Sequence, residues 1–509
     1  MSMIKKLKLC CCFVVFVMLM VFLNGCSTNE AHLQEEEKFP HVAAGTLTFS
    51  VWGEGTKLEI DPSNPEETWY DVDTMTTVYP ITVTVEDDKG YEIKVNGLEL
   101  KSGEEVKFQL EKLGHDIGIP VEITNQAENV TVTKYIRTLN SKIDVQTNGT
   151  ADGIFYFTTG NHYCQMDGSG TIIFYGYAPG CSDFKPHTIN GKTYYSVMYG
   201  SGAFNPAKVS GIAMILDDTY AVVDQIRFLH PNWGMPENQK LDTHEVLMLG
   251  VGHYIIQSYV PKRVTNIPET VPSYSPFGSR VLAAVIQEIK DGELIFQWDS
   301  TDYPELYGLS EQNNDFTNST RYYEDYVHLN SIEIDPKDQN LILSLRNMST
   351  ILKISRETGD ILWILSGPGD EFGLSAEQKC SAQHFARVTE RGTITVFDNG
   401  MIMPEGEPNP FVDEYRTRVV EYELDESNKS LVDFHEYVVP GTCSPIMGSA
   451  ELLDASTNTF LIGWGGGRRA GTPLFSEVDF STNSVIFEVF DNGSNITEGV
   501  SYRAYKSAK

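Results

Sequence analysis

The sequence predicts an all-β protein, in which a small N-terminal β-sandwich precedes a six-bladed β-propeller. Three observations predict this fold. Short runs of alternating apolar residues dominate residues 41–139, and no helical apolar spacing of useful length occurs there. Turn residues such as Asp-Lys-Gly and Asn-Gly separate these runs. After residue 140, one pattern of a turn followed by an aromatic-containing strand recurs six times.

The composition is that of a globular and strongly acidic protein. Of the 509 residues, 41% are hydrophobic and 21% are charged, which excludes a largely disordered chain. Asp and Glu number 70 against 38 Lys and Arg, for a formal net charge of −32. Nucleic-acid binding and electrostatic docking on an anionic membrane both need concentrated basic residues, so the charge argues against both partners.

The first 25 residues are typical of a secretory leader. Lys5, Lys6 and Lys8 precede an apolar run that ends in Leu23-Asn24-Gly25-Cys26, and this run is too short for a comfortable transmembrane helix. A Cys directly after Leu-x-Gly resembles a bacterial lipobox. We therefore expect cleavage before Cys26, lipidation of Cys26, and an exported lipoprotein anchored to the membrane that faces the periplasm or the cell exterior. A plain signal peptide or an anchor helix is the alternative.

Residues 26–40 are polar and acidic, and we interpret them as a tether that follows the lipid. Residues 41–139 contain the runs TLTFSVW, ITVTVED, YEIKVNG, EVKFQL and VEITN, which predict the N-terminal sandwich. Nothing in this part of the sequence indicates a catalytic role.

Residues 140–509 predict the propeller. The six recurring runs are GSGTIIFYG (168–176), DDTYAVVDQIRF (217–228), DGELIFQW (291–298), TGDILWIL (358–365), NKSLVDFHEY (428–437) and TNSVIFEVF (482–490). The clearest complete unit is residues 331–365, which has the pattern strand, turn, strand, strand, Thr-Gly turn, strand. Four antiparallel strands per unit, repeated six times, are typical of a six-bladed propeller.

Three of the units open with a histidine directly before the first strand, namely His244, His328 and His384. First strands line the central axis of a propeller, so residues at their starts should converge at one mouth of the channel. Arg346 stands at the end of the second strand of the His328 unit, and this strand runs back toward the same rim. By repeat register, Ser449 and Tyr199 occupy comparable places in other units.

Three converging imidazoles are compatible with zinc or iron, but Arg346 and Asn330 in the same patch argue against a metal. A guanidinium and an amide suit an anion, such as a sulfuryl or phosphoryl group, to which a neutral histidine can bond covalently. No glycine-rich phosphate loop with Lys-Ser/Thr is present, so we expect no nucleotide donor, no metal and no cofactor. The matched positions carry no carboxylate except Glu245, beside His244.

The residues resemble bacterial aryl-sulfate sulfotransferases. The resemblance rests on His328-Leu329-Asn330-Ser331 with Arg346 18 residues after the His, on the run ILKISRETGDILWILSG, and on QHFARVTERGTITVFDNG. It is strong over residues 320–400 and weaker elsewhere. It implies a small sandwich with a six-bladed propeller, and transfer of a sulfuryl group from a phenolic sulfate ester to another phenol without a nucleotide donor.

The resemblance also implies residue roles. His384 would be the nucleophile that forms a sulfohistidine, in a ping-pong reaction. His328, Asn330 and Arg346 would bind the sulfuryl oxygens, and His244 would act as acid/base or as a further sulfuryl ligand. Ser449 would place a hydroxyl near the sulfate, and Tyr199 would contact the aryl group. Asn347-Met348 departs from the family's usual His-Gln, which leaves the contacts around Arg346 open.

Four cysteines follow Cys26, an even number for an exported protein, and three pairings are possible. Family members from Gram-negative bacteria carry a disulfide close to the nucleophile. That implies Cys380–Cys443, with Cys164–Cys181 as the second bond.

Two other functions stay open from the sequence. One is a non-enzymatic, lipid-anchored propeller that binds a ligand, and the other is a metal-dependent hydrolase or lyase that uses the three histidines as ligands. The sequence also leaves the oligomeric state open, with a homodimer as one option.

Overall fold

The computed structural model describes residues 47–51, 56–64, 68–73, 81–108, 119–139, 145–200, 211–229, 241–317, 323–401, 417–468, 471–491 and 501–507. Over these ranges the regular elements are β-strands and three short 3-10 helices, so the all-β prediction is confirmed. The predicted leader (1–25) and tether (26–40), with Cys26, lie outside the described residues. Within the described ranges, no helix is long and apolar enough to cross a membrane.

The strands before residue 140 form two sheets. These strands are β1 (Leu47–Val51), β2 (Thr56–Ile60), β3 (Trp69–Asp73), β4 (Ile81–Asp87), β5 (Glu92–Val95), β6 (Leu98–Leu100), β7 (Glu105–Phe108), β8 (Ile119–Asn125) and β9 (Val130–Leu139). The strand orders are β2-β1-β4-β7 and β3-β9-β8-β5-β6, and β3 pairs with β9 in parallel. Phe49 and Val83 from the first sheet and Ile93 and Val121 from the second belong to one buried cluster. The alternation of buried and partly exposed residues along β8 explains this packing, because one face of each sheet is apolar.

Twenty-five described strands follow, together with the 3-10 helices Ser300–Asp302, Pro304–Leu309 and Arg346–Met348. The strands are β10 (Val145–Gly149), β11 (Ile154–Thr159), β12 (His162–Asp167), β13 (Ile172–Tyr177), β14 (Cys181–Ile189), β15 (Lys192–Tyr199), β16 (Ile212–Leu216), β17 (Val222–Ile226), β18 (Val246–Gly250), β19 (His253–Val264), β20 (Ser279–Lys290), β21 (Glu293–Asp299), β22 (Leu329–Ile334), β23 (Leu341–Leu345), β24 (Thr350–Ile354), β25 (Ile361–Leu365), β26 (His384–Val388), β27 (Ile394–Asp398), β28 (Arg418–Asp425), β29 (Ser430–Tyr437), β30 (Ser449–Asp454), β31 (Thr459–Gly463), β32 (Phe475–Asp479), β33 (Ser484–Asp491) and β34 (Ala504–Ser507).

These strands form six antiparallel sheets in the described part of the chain. We number them by chain order: sheet 1 (β34-β11-β12-β13), sheet 2 (β14 to β17), sheet 3 (β18 to β21), sheet 4 (β22 to β25), sheet 5 (β26 to β29) and sheet 6 (β30 to β33, then β10). Each of the six recurring sequence runs covers all or nearly all of the fourth strand of one sheet. The Thr-Gly turn before β25 requires its glycine, because Gly359 has φ +83° and an added Cβ would lie 2.8 Å from the Tyr303 hydroxyl oxygen.

The first strands of the sheets contact one another in order. β14 contacts β18, β18 contacts β22, β22 contacts β26 and β26 contacts β30, while β34 contacts both β31 and β14. The two ends of this region join the first and last sheets, since β34 pairs with β11 and β10 pairs with β33. The six first strands therefore form a closed ring, and residues at their starts lie at one end of it.

Candidate active site

A cavity of ≈ 500 Å³ lies at the end of the ring where β18, β22 and β26 begin. All three predicted histidines and Arg346 line it. Its other lining residues are Ser182, Thr243, Tyr259, Leu282, Asn313, Tyr323, Glu324, Asp325, Asn347, Ile446, Met447 and Tyr502. The repeat register therefore brings the three histidines and Arg346 together, as the sequence predicts.

The three histidines occupy the same place in three consecutive sheets. His244 stands two residues before β18, His328 directly before β22, and His384 opens β26. The ring centroids of His244 and His328 are 5.1 Å apart, with the planes nearly perpendicular. The Tyr502 ring lies 5.4 Å from that of His244 and 6.2 Å from that of His384. One aromatic side chain thus bridges the first and third histidines.

Two of the histidines are paired with carboxylates. His244 Nδ1 bonds to Asp242 Oδ1, which also accepts from the His244 backbone N–H at 3.0 Å. His328 Nδ1 bonds to Asp325 Oδ2 at 2.6 Å, and its backbone N–H donates to Asp325 Oδ1 at 3.2 Å. Burial raises the pKa of the Asp242 carboxyl, but His244 and the Gln257 amide outweigh burial and hold it below its usual range. Asp242 and Asp325 do not stand at the positions that the repeat register matches, and short turns place one of them behind each of these rings.

His384 has a different partner. Its Nδ1 bonds to the Asn399 side-chain Oδ1 at 2.7 Å, and the residue is 2% exposed. Burial lowers the pKa of His384 well below its usual range, and the positive charge of Arg346 acts in the same direction. This imidazole is therefore neutral at neutral pH.

Arg346 follows β23 and is held by neutral groups. Its Nη1 donates to Gln312 Oε1 at 2.9 Å and to Asn347 Oδ1 at 2.8 Å, and its Nη2 lies 3.5 Å from Met401 Sδ. No carboxylate of a described residue forms an ion pair with it; Asp325 acts on it only at longer range. Asn347, the residue that departs from the family pattern, thus holds the guanidinium fork. The arrangement leaves a cation in the cavity that is available to an anion.

Aromatic and apolar side chains form much of the remaining wall. Tyr259 stacks against His328, with ring centroids 5.8 Å apart, and its hydroxyl donates to Leu329 O at 2.6 Å. Tyr502, on the segment that leads into β34, donates to Asn330 O at 3.3 Å. Burial raises the pKa of both phenols, which keeps both neutral. Such a wall fits a flat, apolar ligand with one anionic group.

Asn330 lies behind the cavity wall rather than in it. Its Nδ2 donates to Gln383 O at 2.7 Å, next to His384, and the residue is 0% exposed. Asn330 is not among the residues that line the cavity, and its predicted contact with the sulfuryl oxygens stays a prediction. Its amide instead holds the backbone from which His384 projects.

Ser449 and Tyr199 are not brought to the cavity. Ser449 Oγ accepts from Ala504 N at 3.1 Å, which ties β30 to β34. Tyr199 ends β15 and packs against the buried cluster that contains Cys181 and Tyr195. Neither residue lines the cavity, because their side chains are used in packing between sheets, and the substrate-binding roles of both stay predictions.

Glu245, which follows His244, points away from the cavity into the ring. It bonds to Arg387 at 2.7 Å, to Arg503 at 3.0 Å and to Lys185 at 3.2 Å, and it is 0% exposed. Burial opposes ionisation, but these three cations hold the pKa of Glu245 well below its usual range. His244 and Glu245 directly precede β18 and face opposite ways, so His244 faces the site while Glu245 ties four sheets together.

The four described cysteines form no disulfide. Cys380 Sγ lies 3.4 Å from Ser366 Oγ in the core between sheets 4 and 5, whereas Cys443 belongs to the segment from sheet 5 to sheet 6. Cys164 packs in the cluster shared with sheet 6, and Cys181 packs in the cluster shared with sheet 2. The predicted pairs Cys380–Cys443 and Cys164–Cys181 are therefore not formed in this structure.

Among the described residues, no group of three His, Cys, Asp or Glu side chains is arranged to hold a metal ion. In the site, His244 and His328 direct Nδ1 to aspartates, and His384 directs Nδ1 to an amide.

Sequence reasoning missed five residues of the site, and most of them carry a signal. Asp242 and Asp325 stand two and three residues before their histidines. Asn399 is the first residue after β27, as Arg346 is the first after β23. Tyr259 and Tyr502 carry no such signal, and the second reaches the site only because the C-terminal strand closes the ring.

Residues 274–503 match the family model described as "Arylsulfotransferase (ASST)". The arylsulfate sulfotransferase AssT of Escherichia coli O6:H1 is 30% identical over a stretch that covers 32% of this chain and 32% of that protein. The protein of the same name from Lelliottia amnigena is 30% identical over 22% of this chain and 23% of its own length. The chain thus aligns with a third or less of the length of these relatives. Among solved structures, an auxiliary nutrient binding protein from Bacteroides ovatus matches with a TM-score of 0.30 and 8% identity, over 92% of this chain and 90% of that one.

Proposed function

We propose that the protein is an aryl-sulfate sulfotransferase, because residues 274–503 match the arylsulfotransferase family model. It would move a sulfuryl group from a phenolic sulfate ester to another phenol through a sulfohistidine at His384. No nucleotide donor would take part. The substrates are therefore two small aromatic molecules that use the same cavity in turn.

One observation carries the proposal: a neutral imidazole faces an arginine that has no carboxylate partner among the described residues, inside an aromatic-walled cavity. His384 supplies a lone pair at Nε2, since its Nδ1 is engaged with Asn399. Arg346 supplies two parallel N–H donors for the oxygens of a sulfuryl group. His244 and His328, backed by Asp242 and Asp325, supply proton donors and acceptors.

In the first step, His384 Nε2 attacks the sulfur of the donor ester in line with the bond to the phenolic oxygen. The N–S bond forms as the S–O bond breaks, and the phenolate leaves with the electron pair. A protonated His244 or His328 gives its proton to that oxygen, so the product is a neutral phenol. The negative charge on the sulfuryl oxygens stays beside Arg346 throughout.

In the second step, an acceptor phenol enters the space that the first phenol has left. The imidazole that lost its proton takes the acceptor's hydroxyl proton, and the phenolic oxygen attacks sulfur. The S–N bond breaks, and its electron pair returns to His384 Nε2. Two half-reactions with one covalent intermediate imply ping-pong kinetics.

The proposal also places the enzyme outside the cytoplasm. The lipobox-like Leu23-Asn24-Gly25-Cys26 supports lipidation of Cys26 and anchoring to a membrane. The Cys26→Ser protein should move from the membrane fraction to the soluble fraction of cells. Unchanged membrane association of that variant would contradict the lipid anchor.

Transfer is tested with 4-nitrophenyl sulfate as donor and phenol as acceptor. The proposal expects release of 4-nitrophenol that depends on phenol, together with formation of phenyl sulfate, and equal rates with and without EDTA. His384→Asn should abolish transfer. His253→Gln is the matched control, because His253 is paired with Glu288 away from the cavity and its loss should leave the rate unchanged.

Three results would contradict the proposal. No release of 4-nitrophenol would favour a ligand-binding protein. Release that EDTA abolishes would favour a metal-dependent hydrolase. Release that yields inorganic sulfate without phenyl sulfate would show hydrolysis rather than transfer.

A further inference from the structure

The three cavity histidines differ in the chemistry of their Nδ1 partners. His244 and His328 face carboxylates, Asp242 and Asp325, and each carboxylate also binds the histidine's own backbone N–H. His384 instead faces the amide oxygen of Asn399 at 2.7 Å. Aspartate and asparagine have nearly the same shape, so the difference between the three sites is one of charge.

The orientation of the Asn399 amide is fixed by its own partners. Its Nδ2 donates to Ser444 O at 2.8 Å and to Met447 O at 2.9 Å, and the residue is 0% exposed. Both partners are carbonyl oxygens, which accept only, so the nitrogen of the amide must face them. The amide oxygen must then face His384, and the hydrogen of that bond must come from Nδ1.

This geometry determines the tautomer of His384. With the proton on Nδ1, the Nε2 atom carries the lone pair. A carboxylate in place of Asn399 would stabilise the imidazolium, in which neither nitrogen is a nucleophile. Arg346, His244 and His328 are the charged or titratable groups that act most strongly on His384, and the Tyr502 ring lies 6.2 Å away. The carboxylates Glu324 and Asp325 line the same cavity, but the hydrogen-bond partner of His384 Nδ1 is the Asn399 amide.

We propose that Asn399 is the positioning residue that makes His384, rather than His244 or His328, the nucleophile. It holds the Nδ1–H tautomer and withholds the negative charge that would protonate the ring. The aspartate-paired histidines keep the proton-transfer role. The inference rests on the proposed sulfotransferase function but makes a separate statement about the protonation state of one side chain.

The first experiment observes the tautomer without using activity. The protein contains 11 histidines, so selective ¹⁵N-histidine labelling gives a tractable long-range ¹H–¹⁵N spectrum. The His384→Asn protein identifies the His384 signals. We expect a neutral ring protonated on Nδ1 from pH 6 to 8. A ring protonated on Nε2, or an imidazolium at pH 7, would overturn the proposal.

The second experiment adds the charge that Asn399 withholds. In Asn399→Asp, we expect kcat/KM for 4-nitrophenyl sulfate to fall at least about 10-fold at pH 7 and to recover as pH rises, because deprotonation restores the nucleophile. A loss of packing alone would lower activity equally at all pH values, and that result would overturn the proposal.

The matched control makes the opposite exchange at a carboxylate-paired ring. Asp325→Asn should slow transfer from donors with poor leaving groups more than transfer from 4-nitrophenyl sulfate. It should not raise the pH at which kcat/KM falls on the acid side of the pH profile. If Asp325→Asn raises that pH as much as Asn399→Asp does, the division of roles between the histidines is contradicted. If Asn399→Asp does not fold, the wild-type spectrum decides the proposal. The two proposals can fail separately. If the spectrum shows His384 protonated on Nδ1 but His384→Asn still transfers sulfate, the assigned tautomer is correct and the proposed nucleophile is wrong.

Discussion

Replacement of Arg346 by methionine should separate catalysis from stability. Arg346 is largely buried, its partners Gln312, Asn347 and Met401 are neutral, and burial lowers the pKa of its guanidinium. Its charge is therefore held in the cavity without a counter-ion among the described residues, at some cost to the fold. We infer that the fold retains this destabilising charge because Arg346 binds the sulfuryl group.

The size of the effect follows from the geometry. Opposite unit charges about 4 Å apart interact by about 4 kcal/mol at an effective dielectric constant of about 20. Loss of one preorganised donor to a developing oxyanion lowers rates by about 10²–10³. We therefore expect Arg346→Met to lower kcat/KM by about 10²–10³, partly through KM because the ground-state ester already carries its charge. The free energy of unfolding should stay within about 1.5 kcal/mol of wild type, since only hydrogen bonds to neutral groups are lost.

Lys353 offers the matched control in the same sheet. It is 0% exposed and bonds to Asp335 at 2.7 Å, Asp338 at 2.8 Å and Glu426 at 2.7 Å. Lys353→Met should destabilise the fold by about 3–5 kcal/mol because it leaves the buried Asp335 carboxylate without its ammonium partner, while kcat/KM stays within about threefold. Urea denaturation and 4-nitrophenyl sulfate kinetics measure both quantities. The reasoning is refuted if Arg346→Met keeps more than about a tenth of wild-type kcat/KM, or loses as much stability as Lys353→Met.

Further predictions concern the other corrected or assigned residues. Because burial lowers the pKa of His384 in the folded state, only the unfolded chain takes up a proton there as pH falls below about 6.5, and stability falls with pH. His384→Asn should make that fall shallower by up to about 1.4 kcal/mol per pH unit between pH 6.5 and 5, and an unchanged slope in urea titrations would contradict the assignment. Ser449→Ala should lower the free energy of unfolding by about 1 kcal/mol, because the hydrogen bond from Ala504 N is lost. Both Ser449→Ala and Tyr199→Phe should keep kcat/KM within about threefold of wild type. A larger kinetic loss would show that these residues act in the site. Dithiothreitol should leave Tm unchanged within about 1 °C because Cys164 and Cys181 are not bonded, whereas a fall of several degrees would indicate a disulfide.

The sequence predicted the parts of the fold and site that follow from periodicity. The alternation of apolar residues predicted the strands, and each of the six recurring runs covers all or nearly all of the fourth strand of a sheet. Repeat register predicted that His244, His328, His384 and Arg346 would share one cavity, as they do. Register works here because equivalent positions of successive sheets are related by rotation about one axis.

Register does not determine where a side chain points. Ser449 and Tyr199 stand at the predicted places, yet both side chains are used in packing between sheets. Glu245 follows His244 but faces the interior of the ring, where it binds Arg503.

Contacts that depend on local turns or on closure of the ring were also not predicted. Asp242 and Asp325 reach their histidines through turns of two and three residues, and Tyr502 reaches the cavity because β34 pairs with β11. The predicted disulfides rested on resemblance alone, and the structure places Cys380 and Cys443 in different surroundings.

The covalent intermediate is the most direct test of the account. The protein is mixed with 4-nitrophenyl sulfate in the absence of an acceptor, quenched, digested and examined by mass spectrometry. The account predicts a gain of about 80 Da, the mass of SO₃, on the peptide that contains His384, with loss of that mass on addition of phenol. Transfer to phenol with no adduct, or with the adduct on His244 or His328, would contradict it.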